Sequence, residues 1–427
     1  MPKPPKTFSE HLTAAREALE KGDLQGAFQI RFALAWPGPA GDGDWRAGML
    51  LLSELAGRQG ESEFAEVIAA AARDANTPDA LVEAAYQLTE RGLPQIGASA
   101  YRRAHALLPD HEGLLAEYAY ALGAAVRHQD AYGVLREARA AREKSRFLEA
   151  LMGHYALLCG DLALCRAMPL GEMVRDPREE TRVTASKLVD GLLRADSLLD
   201  RGQALDSRDL RGWHYALTGG ILTHLSPFGF DEGMNGRYAF IQDSPGRCRA
   251  SMDLMVAVLE ALCQKPERVF HLPGVHNEAL ARAAAGRLGL PLEPWPAQGR
   301  AEPGLIAVYD LDTVPLDCLD GLVIHRPGQI LWSHAASWTT EPPFAADITT
   351  FLYQTLRPIA GGDAVAMTRE ILAAEAMEET AADRGAAVAF AGRVADLSGE
   401  WGTAALRGKG IRRAQPVGSP VPSSYFA

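Results

Sequence analysis

The hydrophobic pattern divides the chain into two halves with different periodicities. In roughly the first 170 residues, apolar positions recur at the three- and four-residue spacing of amphipathic helices. From Trp213 onward, short apolar runs alternate with helical stretches, and glycine and proline separate them. This alternation is typical of a mostly parallel sheet covered by helices. The pattern therefore predicts a multidomain α + α/β protein.

The helical half contains a repeated segment. Five stretches continue from a short turn into an amphipathic helix, and a small residue begins the buried face of each. These small residues are Ala27, Ala65, Gly97, Ala131 and Cys165, at spacings of 38, 32, 34 and 34. A small side chain at this place lets paired helices pack closely, and stacking of repeats buries faces that one repeat cannot bury alone.

The third unit, residues 84–109, resembles the tetratricopeptide repeat (TPR) family, whose unit is 34 residues. Gly97, Tyr101, Ala104 and Pro109 stand at the family's small, aromatic, small and proline positions. The resemblance implies an α-solenoid whose concave groove holds a peptide or protein, and it implies no chemistry. For such a partner, Arg102 and Arg103 are the candidate binding residues. An unrelated helical bundle is the alternative.

A helix start marks the junction between the halves. Asp176 suits a cap, Pro177 suits the first helical position, and Glu179 and Glu180 complement the helix dipole. The predicted segments are a helical repeat domain at 1–175, a connecting helix and linker at 176–205, an α/β domain at 206–400, and a Pro/Ser-rich tail at 401–427.

The second half yields a series of predicted elements. Strands are predicted at 237–242, 267–272, 290–295, 304–309, 321–326 and 329–335. Helices follow at about 344–357, 363–382 and 385–397. The run 305–309 has no polar face, so it is predicted to be a central strand.

Two carboxylates follow that central run and are the candidate catalytic residues. Asp310 and Asp312 stand at the carboxyl end of the strand, where open α/β sheets bind ligands. In a continuing strand they would point the same way, and their repulsion would favour Mg²⁺ or a hydroxyl-bearing ligand. Mg²⁺ is thus the one cofactor considered, and no other metal is predicted. Thr313, His271 and Ser333 are further candidate ligand-binding residues.

The stretch 268–295 and the strand after it resemble the phosphoribosyltransferase fold. HNEALARAAAGRLGLPL is similar to competence-type members of that family. The resemblance implies a Rossmann-like sandwich in which Asp310 and Asp312 hold ribose hydroxyls and a loop holds the 5′-phosphate. The chain departs from this pattern at Val314 and Pro315, because the loop lacks glycine and proline removes one donor.

Two other interpretations of the aspartates remain open. Asp310-Leu311-Asp312-Thr313-Val314 resembles the DxDx(T/V) motif of haloacid-dehalogenase-type phosphatases, with Asp310 as nucleophile and Ser333 as a second hydroxyl. That family places this strand first and needs a later lysine, whereas the chain has only Lys409 after Lys265. Alternatively, the aspartates simply end a buried strand and cap its turn.

Composition narrows the class of protein. A net charge of -11 disfavours a general nucleic-acid or anionic-membrane binder. Five cysteines, without a CxxC pair, favour free thiols in a reducing compartment. The N-terminal residues lack the apolar core of a signal peptide. No stretch of about 18 apolar residues, the length that a membrane-spanning helix needs, exists in the sequence. A cytoplasmic protein is expected, and the alanine and arginine usage suggests a bacterium.

Together these features favour a TPR-type protein-interaction protein with a degenerate or non-catalytic α/β domain. The alternative is a phosphoribosyl or glycosyl transferase that acts on a phosphorylated sugar or nucleotide at Asp310 and Asp312.

Overall fold

The chain forms two compact units, Met1–Tyr155 and Ala156–Ala427. The structure is a computed structural model, and it describes residues 7–39, 41–141, 145–227, 233–296, 302–326, 328–340, 342, 344–377, 381–395 and 418–423. Helices come first, and parallel strands with helices follow, which confirms the predicted α + α/β layout. Of the predicted tail 401–427, all but 418–423 lies outside the described residues.

The first unit is built from short helices. In chain order they are α1 (Phe8–Glu20), α2 (Leu24–Ala27), α3 (Ile30–Leu34), α4 (Asp42–Arg58), α5 (Ser62–Arg73), α6 (Pro78–Glu90), α7 (Pro94–Leu107), α8 (Glu112–Ala124) and α9 (His128–Ala141), and α10 (Arg146–Leu158) crosses the boundary between the units.

A constant period governs these helices. α6, α8 and α10 begin 34 residues apart, and so do α7 and α9. α4 packs against α5, α6 against α7, and α8 against both α7 and α9. Connections of three to four residues, as between α6, α7 and α8, are typical of antiparallel helix pairs. The sequence repeat is therefore a repeat of helices.

The small residues of the repeat are all buried. Gly97 shows most clearly why size matters there. A Cβ at Gly97 would lie 2.8 Å from the carbonyl oxygen of Ala85 and would also overlap the hydroxyl of Thr89, both on α6. Only glycine lets α7 approach α6 this closely.

The second unit contains further helices and the strands. Its helices are α11 (Leu162–Arg166), α12 (Leu170–Met173), α13 (Glu179–Asp200), α14 (Leu210–Thr218), α15 (Pro245–Ala261), α16 (Val275–Leu288), α17 (Leu316–Val323), α18 (Ala364–Ala373) and α19 (Ala381–Val394). Its strands are β1 (Ile221–Leu222), β2 (Tyr238–Gln242), β3 (Val269–His271), β4 (Leu292–Pro294), β5 (Gly304–Asp310), β6 (Gln329–Ser337) and β7 (Ile348–Arg357).

The described strands form one seven-stranded sheet in which every pairing is parallel. Its order is β1-β7-β6-β5-β3-β4, and β2 also pairs with β7. β5 is fully buried between β6 and β3, so the predicted central strand is confirmed. Because β3 lies between β4 and β5, the chain changes direction across the sheet there, and ligands of open α/β sheets bind at such a switch point.

Two predicted elements are wrong. In place of the strand expected at 321–326, α17 continues to Val323 with Cys318 and Leu322 buried at helical spacing, and Ile324 forms only an isolated bridge. The helix expected at 344–357 is replaced by β7. Its run Ile348-Thr349-Thr350-Phe351 consists of β-branched and aromatic residues, which favour strands.

Among the described residues, none of the helices has both the length and the apolar character that crossing a lipid bilayer requires.

Candidate functional site

Asp310 ends β5 and is buried. Its Oδ1 accepts hydrogen bonds from the Tyr353 hydroxyl at 2.7 Å and from the Asp312 N–H at 3.1 Å. Burial raises the pKa of Asp310 to about 6, and the Asp312 carboxylate adds to this rise. The carboxylate therefore caps the short 3₁₀ turn Leu311–Thr313 and ties β5 to β7.

Asp312 does not stand beside Asp310 as it would in a continuing strand. Because the strand ends at Asp310, the following turn brings the backbone N–H of Asp312 to the Asp310 carboxylate. The Asp312 side chain is exposed, and its Oδ2 accepts a hydrogen bond from the Thr340 hydroxyl at 2.5 Å. The two carboxylates thus have separate partners.

The other predicted ligand-binding residues occupy different places. The Thr313 hydroxyl donates to the Asp310 carbonyl oxygen at 3.1 Å, within the same turn. The buried Ser333 hydroxyl donates to the carbonyl oxygen of Ala335 at 2.6 Å. His271 ends β3, and its Nδ1 lies 3.2 Å from the carbonyl oxygen of Leu272. The described contacts of Ser333 and His271 include neither aspartate.

The predicted partner-binding arginines differ in their surroundings. Arg103 forms an ion pair with Asp42, donates to the carbonyl oxygen of Pro39 at 2.9 Å, and lies over the Trp45 ring at 4.7 Å. Its guanidinium therefore holds α4 and α7 together. Arg102 is partly exposed.

A second polar cluster, which the sequence analysis did not single out, lies in the core of the same unit. We call Asp243, Cys248, Tyr309 and His334 the core cluster. Its centre is Oδ2 of Asp243, which accepts from the Tyr309 hydroxyl, from His334 Nε2 at 3.0 Å and from Cys248 Sγ at 3.5 Å. All four residues are buried.

Local sequence explains how the cluster is assembled. Asp243 follows β2, and its Oδ1 accepts from the N–H of Ser244, which in turn caps α15. Cys248 lies in the first turn of α15, which packs on β6 and β7. Tyr309 and His334 lie on the adjacent strands β5 and β6 and stack with their ring centroids 5.2 Å apart.

α16 supports the cluster from the side of Tyr309. His276 packs on the Tyr309 ring at 4.8 Å, and Asn277 Oδ1 accepts from the Tyr309 N–H at 2.8 Å. The N–H of Ile359 donates to the Tyr309 hydroxyl at 3.1 Å. The hydroxyl is thus held at Asp243 by contacts on both sides.

The charge of Asp243 is well compensated. Burial would raise the pKa of this carboxyl, but His334 and the hydrogen bonds from His334, Tyr309 and Ser244 outweigh burial and hold the pKa below its usual range. Burial, reinforced by Asp243, raises the pKa of Cys248 far above that of an ordinary thiol. The carboxylate is therefore the stable anion of the cluster.

The geometry excludes a nucleophilic triad. In a triad one imidazole nitrogen faces the nucleophile and the other faces the carboxylate. Here Nε2 of His334 faces both, with Cys248 Sγ at 3.9 Å and Asp243 Oδ2 at 3.0 Å. The thiol is also fully buried, so a substrate cannot reach it in this conformation.

Comparison with models of known protein families found no match, and comparison with curated proteins found none either.

Proposed function

We propose that this protein binds a partner protein through its helical unit. The observation that carries the proposal is a pair of exposed tyrosines, Tyr86 and Tyr120, 34 residues apart at the same position of successive repeats, with an exposed leucine one helical turn earlier in the repeat before them. Leu50, Tyr86 and Tyr120 are each the ninth residue of their helix, α4, α6 and α8. They are 42%, 50% and 43% exposed, and their recurrence along successive helices, rather than exposure alone, marks them as one surface. We call these three residues the exposed stripe.

The repeat supports this interpretation. The 34-residue period of the helices equals the unit length of the TPR family that the sequence resembles. Stacked repeats of that kind place equivalent residues on one surface, so one exposed residue per repeat becomes a continuous row. Tyrosine is favoured in binding surfaces, because a large rigid ring gives much contact area at small entropic cost.

A groove at the first member of the stripe indicates the chemistry of the partner. A groove of about 560 Å³ lies between α1 and α4 and is lined by Leu19, Leu50 and Leu51, by Arg16, Arg46 and Arg58, and by Glu20 and Glu54. Because Arg58 pairs with Glu54, the two remaining arginines outnumber Glu20, and such walls suit a peptide segment that carries both apolar and acidic side chains. The partner proposed is therefore a protein with such a segment.

Replacing both tyrosines of the stripe should abolish binding without unfolding the protein. In full-length protein, Tyr86→Ala/Tyr120→Ala should retain its partner from lysate of the source organism at least about tenfold less well. Exposed positions contribute little to folding, so the free energy of unfolding should change by less than about 1 kcal/mol. Quantitative pull-down and chemical denaturation measure the two effects.

Val183 and Leu193 on α13 provide a matched control, because they are 47% and 53% exposed and lie in the other unit. The Val183→Ala/Leu193→Ala protein should retain the partner at the wild-type level. Equal retention by the tyrosine variant and the wild type would contradict the proposal.

A transferase is the second candidate, and the sheet order favours it. Asp310 ends β5, which neighbours β3 at the switch point where open α/β sheets bind ligands. Against it, the Asp310 carboxylate already accepts two hydrogen bonds from the protein.

Asp310→Asn should make the protein more stable at neutral pH. The folded-state pKa of about 6 lies above the usual value of about 3.9, so Asp310 contributes less to stability as pH rises from about 4 to about 6. Asparagine keeps an oxygen for Tyr353 and the Asp312 N–H but never ionises. The variant should therefore resemble the wild type at pH 4 and be more stable at pH 7, by about 1–3 kcal/mol.

Denaturation at both pH values measures this stability effect. Thermal unfolding of the wild type and of Asp310→Asn with Mg²⁺ and phosphoribosyl diphosphate tests the transferase. We expect no ligand-induced rise in the melting temperature of the wild type. A rise that disappears in Asp310→Asn would favour the transferase, because only binding to the folded state stabilises it.

A further inference from the structure

The core cluster has the composition of a metal site as well as of a hydrogen-bonded core. Asp243, Cys248 and His334 each offer one ligand atom, and these atoms all lie within 4.8 Å of one another. We propose that these three residues form a buried site for a tetrahedral transition metal, and that the ion is Zn²⁺.

The distances between the ligand atoms carry the proposal. Zinc binds cysteine, histidine and carboxylate ligands at about 2.0–2.3 Å in a tetrahedron, whose edges are then about 3.3–3.8 Å. The observed edges are 3.0 Å from His334 Nε2 to Asp243 Oδ2, 3.5 Å from Cys248 Sγ to the same oxygen, and 3.9 Å from Sγ to Nε2. Shifts of a few tenths of an ångström would complete a face of that tetrahedron.

The charges agree with a divalent ion. A carboxylate and a thiolate carry two negative charges, and neutral imidazole carries none, so Zn²⁺ gives a site of zero net charge. Neutrality matters because the site is buried, where an uncompensated charge is costly. Binding releases the Cys248 thiol proton to solvent, and the proton that His334 Nε2 donates to Asp243 moves to Nδ1, which leaves the ring neutral and Nε2 free to bind the metal.

The ligand types select among ions. Thiolate and imidazole favour zinc and related transition metals, whereas Mg²⁺ and Ca²⁺ prefer oxygen ligands. Because the cluster is closed to solvent, the metal's role is structural, and it joins the start of α15 to β6. The hydroxyl of Tyr309 already contacts the Asp243 carboxylate and is the candidate for the fourth position.

The test uses untagged full-length protein, purified in reductant and equilibrated with Zn²⁺ before removal of free metal. Elemental analysis should find about one zinc per chain in the wild type and almost none in Cys248→Ala. Cys165→Ala is the matched control, because that cysteine is equally buried but outside the cluster, and it should keep its zinc. With Co²⁺, only proteins with Cys248 should show thiolate-to-cobalt charge transfer and tetrahedral d–d bands.

Two results would overturn the proposal: a wild type that takes up no metal, or a Cys248→Ala protein that holds as much as the wild type. Should Cys248→Ala not fold, a variant in which the other four cysteines are alanine decides the matter. This variant should keep the thiolate-to-cobalt band. Absence of the band would mean that the core cluster is a hydrogen-bonded core and not a metal site.

Discussion

Replacing Asp243 with alanine should lower the free energy of unfolding by about 3–5 kcal/mol. The substitution removes the acceptor of the Tyr309 hydroxyl, His334 Nε2 and Cys248 Sγ, and buried donors without an acceptor are costly. Because the folded-state pKa of Asp243 is lowered, its contribution is complete above about pH 4 and is lost as pH falls below that value. Denaturant unfolding at pH 7 and pH 3, with a chelator present, measures both effects.

Asp253 on the same helix provides the control. It forms surface ion pairs with Arg249 and Arg287, so Asp253→Ala should cost less than about 1 kcal/mol. If Asp243→Ala were as mild as this control at pH 7, the hydrogen bonds of the core cluster would not stabilise the fold.

The second large effect is expected at Gly97. Alanine ordinarily stabilises a helix interior by about 0.5–1 kcal/mol relative to glycine. At Gly97, however, the new methyl group would overlap backbone and side-chain atoms of α6, of which the Ala85 carbonyl cannot move aside without disturbing its helix. Gly97→Ala should therefore destabilise the first unit, by about 2–3 kcal/mol.

Gly133 supplies the opposite case in α9. A Cβ there meets no atom within 4 Å, so Gly133→Ala should stabilise the helix. Thermal unfolding followed by circular dichroism should show melting temperatures that move in opposite directions. A melting temperature that rises in Gly97→Ala as well as in Gly133→Ala would mean that close packing of α7 on α6 does not depend on the small residue.

Local signals explain which parts of the fold could be predicted. The strand 304–310 is an unbroken apolar run between turn residues, and the small residues of the repeat recur at a nearly constant spacing. The helix predicted at 344–357 covers apolar residues that also suit a helical face, although most of this segment forms β7. Its β-branched residues and its pairing with β6 decide for a strand.

Asp310 and the core cluster also differ in how far the sequence could predict them. Asp310 could be found as the acid that ends a buried strand, but its acceptance of a hydrogen bond from Tyr353 depends on β7, where the sequence pattern predicts a helix. The core cluster joins residues up to 91 positions apart, Asp243 and His334. His334 stands in an apolar run, and Asp243 suits a helix cap. No local pattern brings such residues together, because only the strand order does so.

Site-specific photo-crosslinking tests the proposed function most directly. A photoreactive phenylalanine analogue is placed at Tyr86 or Tyr120 of the full-length protein, and at Val183 or Leu193 as the control, in cells of the source organism. We expect the two stripe positions to crosslink the same partner protein, and the control positions to leave it uncoupled. Adducts only at the control positions, or no adduct at Tyr86 and Tyr120 under conditions in which the partner is retained, would contradict binding through the exposed stripe.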